Sequence, residues 1–403
     1  MSSSRLNNLA YTSIGHFVND GIDFIIPLIG DIFASRSEVT PFVLTIMFLV
    51  YYGSGSVLSS SVGRFADKTG KPGSLIGVGT MLMSISLLGY FATLNYMIAF
   101  PFLFSLMFFS LLAGFGSGFY HPLGASVLRS SFDTSSRGRA LGINGSIGGC
   151  GRTLYPSLFF LLAIFLTTDG SLAFLGAIGI VASIVIFMGL RSQRTEITSS
   201  RRGSSRSTSG VKDALTTGIM ILTLVAFVSS VASGGIASWI PIYISNQRGL
   251  GLSGGLGLTL TVMAVGSIVG QPIFGWLQER VDARLLLGIS IAGTGLSVLG
   301  YLFTDHMAAL GMISLFGFFT YAAFPLLFSL SSLYVDEESS SLANAIVWGL
   351  GLSGGSVIGP LIMGAFVVSG YGALSFALEV MAVTVFVSSV GTVFLPKLRV
   401  TLL

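Results

Sequence analysis

Apolar residues dominate this chain in long runs, and short polar breaks separate the runs. Windows of roughly 20 apolar residues, each able to span a ~30 Å hydrocarbon core, fall at 8–33, 41–65, 73–93, 99–128, 138–167 and 170–190. A second series falls at 213–245, 253–278, 284–304, 307–333, 341–368 and 372–395. The pattern predicts an all-α integral membrane protein with twelve transmembrane helices in two pseudo-symmetric bundles of six. Residues 1–190 form the first bundle and 213–403 the second. Between them, Arg191–Lys212 is rich in Ser and Arg with no apolar periodicity, which reads as a flexible cytoplasmic linker.

One run is interrupted by polar groups. His16, Asn19, Asp20 and Asp23 sit inside the first window. At 3.6 residues per turn, Asp20 lies about 40° from His16 on the helix surface and Asp23 about 20° to its other side. Ionisable groups at such depth cost about 2.5–3.5 kcal/mol each on insertion scales. A helix that keeps three on one stripe either turns them to an aqueous cavity or uses them to pin helix packing.

Composition supports the membrane reading: 52% of the 403 residues are hydrophobic and 9% charged, against about 25% charged in soluble proteins. The single cysteine, Cys150, excludes a disulfide framework and a thiolate metal site. The first apolar run is long and acid-bearing, so it is expected to stay as a helix and not to be cleaved as a signal. With both termini cytoplasmic, 17 of the 20 basic residues fall on the cytoplasmic side and Arg36 and Arg248 outside, the bias expected for that orientation. Arg152 alone is left within a helix. No nucleotide-binding loop or metalloprotease helix occurs, so neither an enzyme nor a nucleic-acid partner is expected, and energy must come from a gradient.

The halves repeat each other weakly. Gly145, Gly151 and Pro156 are matched by Gly349, Gly355 and Pro360 at a constant offset of 204, and Pro27 pairs with Pro241. Internal repeats of this type are a transporter pattern. After the second window comes GRFADKTGKPG, and after the eighth GWLQERVD. The first resembles the loop signature of the major facilitator superfamily, carried here by Gly63, Asp67, Lys68, Gly70 and Lys71; Glu279 and Arg280 stand in the degenerate second copy. The resemblance covers the whole chain and implies a gating role for these loops. Within that superfamily, His16-x-x-Asn19-Asp20 and the Gly-rich run ending Tyr120-His121-Pro122 resemble the fosmidomycin-resistance efflux branch. That resemblance implies proton-driven export of a small polar or anionic compound, from the plasma membrane, with no cofactor or metal. Arg152, where the branch pattern has a small residue, and Asp23 depart from it, which bears on the substrate more than on the fold.

Rise along the helices places Asp23 about 21 Å from Leu9 and Arg152 about 20 Å from Arg139, at one near-midplane level. His16 and His121 fall about 10–12 Å from their cytoplasmic ends. A buried guanidinium is always charged and needs an anion. Asp20, Asp23 and a substrate's anionic group are the candidates. The expected roles are proton coupling for Asp20, Asp23 and His16, and substrate binding for Arg152, His121, Asn19 and Tyr120. Trp239, Tyr321, Phe324 and Trp348 are expected to supply an amphipathic wall from the second half. A permanent brace between helices 1 and 5 is the alternative for Arg152, and a packing hydrogen bond beside Pro122 for His121. The leading expectation is a proton-coupled exporter acting as a monomer in lipid. A proton symporter importing an organic acid or sugar-like solute, and a sensor that no longer transports, are the alternatives.

Overall fold

A computed structural model describes residues 3–69, 71–191, 214–336 and 339–397. Among the described residues the chain is helical, without strands. The first six helices are α1 (Ser3–Ala34), α2 (Pro41–Thr69), α3 (Pro72–Tyr96), α4 (Ala99–Ser131), α5 (134–166) and α6 (168–190). Helices α5 and α6 run on within Thr134–Leu190 and are divided at Thr167, whose backbone (φ 67°, ψ 167°) is not helical. The second six are α7 (Thr217–Asn246), α8 (Gly254–Leu277), α9 (Ala283–Phe303), α10 (His306–Leu333), α11 (340–366) and α12 (371–394). Ten stretches among the described residues are long and apolar enough to cross a membrane, with Ser136–Leu190 counted once. Helix α1 is not one of them, because His16, Asn19 and its aspartates break its apolar run.

The surface is unlike that of a soluble protein, and the largely apolar interior also holds polar groups. Phe100, Phe104, Phe165, Val57 and Phe394 are exposed, whereas Asn19, Asp20, Thr80, Ser84 and Ser110 are buried. With lipid as the outer solvent, apolar side chains cost nothing on the surface, and polar groups must find partners inside.

Packing divides the chain into two compact units, Met1–Ser199 with Pro241–Thr261, and Ser200–Ile240 with Val262–Leu403. In the first, α1 packs on α5, α2 on α4, and α3 on both α4 and α6. Gly151 of α5 lies against the carbonyl of Phe17 on α1, where any Cβ would overlap the oxygen. In the second unit Gly355 of α11 meets the carbonyl of Phe227 on α7 in the same manner. The 204-residue offset in the sequence is thus the same small-residue helix contact made twice. One difference marks α11: between Ser340–Ile346 and Gly354–Phe366 it carries a π-helical turn, Val347–Ser353.

The linker expected at 191–212 lies outside the described residues, apart from Arg191. So does Gly70 of the loop signature. Gly63, Asp67 and Lys68 fall in the last turns of α2, and Lys71 is the exposed residue that precedes α3. Glu279 and Arg280 form an exposed turn after α8, with the Arg280 guanidinium 4.0 Å above the Trp276 ring.

Candidate functional site

Three helices of the first unit converge on the polar stripe of α1. Asp20 is 3% exposed, and its carboxylate is the hub. Arg152 of α5 donates to Oδ2 through Nη1. His16, one turn earlier on α1, brings Nε2 to 3.2 Å from the same oxygen. His121 of α4 brings Nε2 to 3.7 Å from Oδ1, with half of its own side chain exposed. Asn19 donates through Nδ2 to Asp20 (3.3 Å) and to Asp23 (3.1 Å), and so bridges the two carboxylates. Asp23 also accepts from the Tyr51 hydroxyl of α2 and from Ser117 Oγ of α4 at 3.1 Å.

The acceptors around it assign the His16 tautomer. Its Nδ1 lies 2.9 Å from both the backbone carbonyl and Oδ1 of Asn144, which are acceptors, so Nδ1 carries a hydrogen. Asn144 is itself oriented by donating Nδ2 to Ser13 Oγ at 3.3 Å. Two lone pairs would then face each other across the gap between Nε2 and Asp20 Oδ2 unless a proton lies between them. Tyr120 supports this side of the cluster. Its ring stacks on His16 at 4.5 Å between centroids, and its hydroxyl lies 3.0 Å from the Thr12 carbonyl and 2.9 Å from Asn144 Oδ1.

The structure therefore brings together His16, Asn19, Asp20, Asp23, Tyr120, His121 and Arg152. It pairs Arg152 with Asp20 and leaves Asp23 to hydroxyls and an amide. Depth along the helix axes put Arg152 level with Asp23 and both histidines well below. Side-chain direction accounts for the difference: helical side chains lean toward their own N-terminus, and a guanidinium is long enough to drop by a turn. Tyr51, Ser117 and Asn144 were missed. An amide inside an apolar window marks Asn144, and Ser117 lies in the Gly-rich run, but nothing separates Tyr51 from other tyrosines.

In the second unit, Trp348 in the π-helical turn stacks on Phe328 at 5.0 Å, and Phe324 links it to Tyr321. These three expected wall residues form one partly exposed aromatic cluster between α10 and α11. Trp239 is fully buried, and its indole donates to the Pro360 carbonyl at 3.3 Å.

Among the described residues, ten apolar helical stretches, one of them divided at Thr167, together with the polar-bearing α1 define a polytopic membrane protein. The sequence profile of the Major Facilitator Superfamily matches residues 11–266 and 251–401, and the chain belongs to that superfamily. Solved structures agree at the level of fold. A bacterial homolog of the human lysosomal transporter Spinster, inward-facing and occupied, superposes with a TM-score of 0.73 at 14% identity, over 96% of this chain and 95% of that one. The inward-facing, unoccupied form of that homolog gives 0.69 at 16% identity, over 98% and 95%. A point mutant of the nucleoside transporter NupG gives 0.76 at 12% identity, over 98% and 100%. No curated protein matches the sequence.

Proposed function

We propose that this protein is a proton-coupled secondary transporter of a small organic anion, with Asp20 and Asp23 as proton-coupling groups, His16 as their partner, and Arg152 as the coupling cation. The observation that carries this reading is a charge count. A buried Asp20 and a half-buried Asp23 lie side by side and only Asp20 is paired with a guanidinium, so with both acids ionised the cluster has an excess negative charge that a proton or a ligand must offset. The 3.2 Å gap between His16 and Asp20 is one place for it, and the half-exposed His121 gives that pair a route to water.

Linkage follows from the Arg152–Asp20 pair. A substrate anion that takes Arg152 strips Asp20 of its counter-charge and makes a proton there more favourable. Proton and anion then bind with positive coupling. That sign favours co-transport, the second reading, for a purely anionic cargo. Export by exchange, which the fosmidomycin-resistance resemblance implies, requires a cargo group that competes with the proton for Asp20 or Asp23. Nucleosides, the cargo in the name of one structural neighbour, are uncharged and fit neither sign.

The aromatic cluster of Tyr321, Phe324 and Trp348 would supply shape recognition of an organic cargo, and Trp239 would do so only after repacking. Asp67, Lys68, Lys71, Glu279 and Arg280, with Gly63 and Gly70, remain the proposed gating loops, in a chain with both termini cytoplasmic that acts as a monomer in the plasma membrane. Reconstitution into liposomes with an imposed pH gradient, against a panel of phosphonates, carboxylates and lipophilic cations, tests the proposal. Gradient-dependent flux that is abolished by Asp20→Asn is expected. Uptake into an alkaline lumen identifies co-transport, and uptake into an acidic lumen identifies exchange. Solute binding with no gradient-driven flux across the panel would instead point to a sensor.

A further inference from the structure

A third aspartate of α1 lies apart from this cluster. Asp31 is in the last turn of the helix, about 12 Å along the axis from Asp23, and is 2% exposed. Its neighbours in the chain, Ile29, Ile32 and Phe33, are buried, as are Ile242 and Ile244 of α7. Asp31 Oδ1 is 3.5 Å from Asn246 Nδ2, an amide already donating to the Ile242 carbonyl at 3.0 Å. Ser245 lies beside the carboxyl, and Oδ2 is buried with no hydrogen-bond partner.

The ionisable groups at this end of the unit are engaged elsewhere. Arg36, after α1, donates to the Leu94 carbonyl of α3 at 3.3 Å and pairs with Asp169 of α6 at 3.6 Å. Asp169 also accepts from Asn95. Glu38 is exposed and accepts from Ser37. Arg248, after α7, places its guanidinium over the Tyr243 ring. None of them pairs with Asp31 among the described residues. A bare carboxylate here would be buried in mostly apolar surroundings, with a long amide contact and the Ser245 side chain as its polar neighbours, at the end of a helix where the macrodipole is itself negative. Burial, the unpartnered Oδ2 and the macrodipole leave a charge here poorly compensated.

We propose that Asp31 is a second proton-carrying site, holding its proton while α1 is packed against the end of α7 and releasing it when that contact opens to water. The neutral acid tolerates the Asn246 contact and the apolar walls, and the anion requires hydration. The proton at Asp31 therefore acts as a latch on this helix pair, whatever the cargo.

Two measurements on the full chain test this without a transport assay. Infrared difference spectra of wild type against Asp31→Asn, in light and heavy water, are expected to show a protonated carboxyl band at neutral pH that only the wild type has. Absence of that band overturns the proposal. Spin labels at Ser37→Cys and Leu250→Cys, both exposed positions, in a Cys150→Ser background report the α1–α7 distance. Between ~pH 5 and ~pH 8 the wild type is expected to gain a longer-distance population, and Asp31→Asn to keep the short one. Identical pH responses overturn the release step. If Asp31→Asn does not fold, Asn246→Ala keeps the acid and removes its amide. It should populate the longer distance at lower pH than wild type, and an unchanged response overturns the latch.

Discussion

Replacing Arg152 with Gln isolates the ion pair on which the proposed coupling depends. The side chains of Asp20 and Arg152 are 3% and 14% exposed, so the substitution strands a buried carboxylate. Breaking such a pair from one side costs roughly 3–5 kcal/mol. His16 and His121 stay within 3.2 and 3.7 Å of Asp20, so the expected loss is at the lower end, about 3 kcal/mol. Removing both charges in Asp20→Asn/Arg152→Gln leaves two amides that can still bond, and most of the stability should return. Asp20→Asn alone strands the Arg152 guanidinium in turn, so a double-mutant cycle of denaturant unfolding in detergent should show strong non-additivity, at or above the ~3 kcal/mol upper end for contacting pairs. The same variants in proteoliposomes separate coupling from bracing. If the cycle is additive to within ~0.5 kcal/mol, the pair does not exist as described. If the coupling is large but Arg152→Gln transports normally, Arg152 is only a brace between α1 and α5, and the proposed linkage is wrong.

Other outcomes follow from single contacts. Tyr51→Phe removes one of three hydrogen bonds to Asp23 and should cost about 1.5–3 kcal/mol in detergent unfolding, the range for bonds to charged groups. Gly151→Ala should lower the yield of monodisperse protein in size-exclusion profiles, because its Cβ overlaps the Phe17 carbonyl and overpacking costs ~1–3 kcal/mol. Gly145→Ala, in the same helix with open space around it, should be neutral or stabilising by up to ~1 kcal/mol. The hydrogen bond from the Arg284 side chain holds the Asp282 carboxyl below the usual carboxylate range. Its contribution is therefore complete above the ordinary aspartate value of about 4 and is lost as the pH falls through the lowered one. Thermal shift against pH should show this acid-side loss in wild type but not in Asp282→Asn.

Much of the architecture could be read from the sequence because lipid makes a simple demand. A helix crossing about 30 Å needs about 20 apolar residues, so element number and boundaries follow from where apolarity stops, and the predicted windows coincide with the helices to within a few residues. The stripe His16, Asn19, Asp20 and Asp23 was also legible, since charge inside an apolar run is conspicuous and helical periodicity puts those residues on one face. What the sequence could not choose was the partner of Arg152, or that Tyr51, Ser117 and Asn144 would complete the cluster. Those depend on the rotation of α2, α4 and α5 about their axes and on where long side chains end, and small-residue contacts such as Gly151 on Phe17 set both. Asp31 shows the same division: its presence in α1 is plain from the chain, but only the packing of α7 against it leaves one of its oxygens buried without a partner.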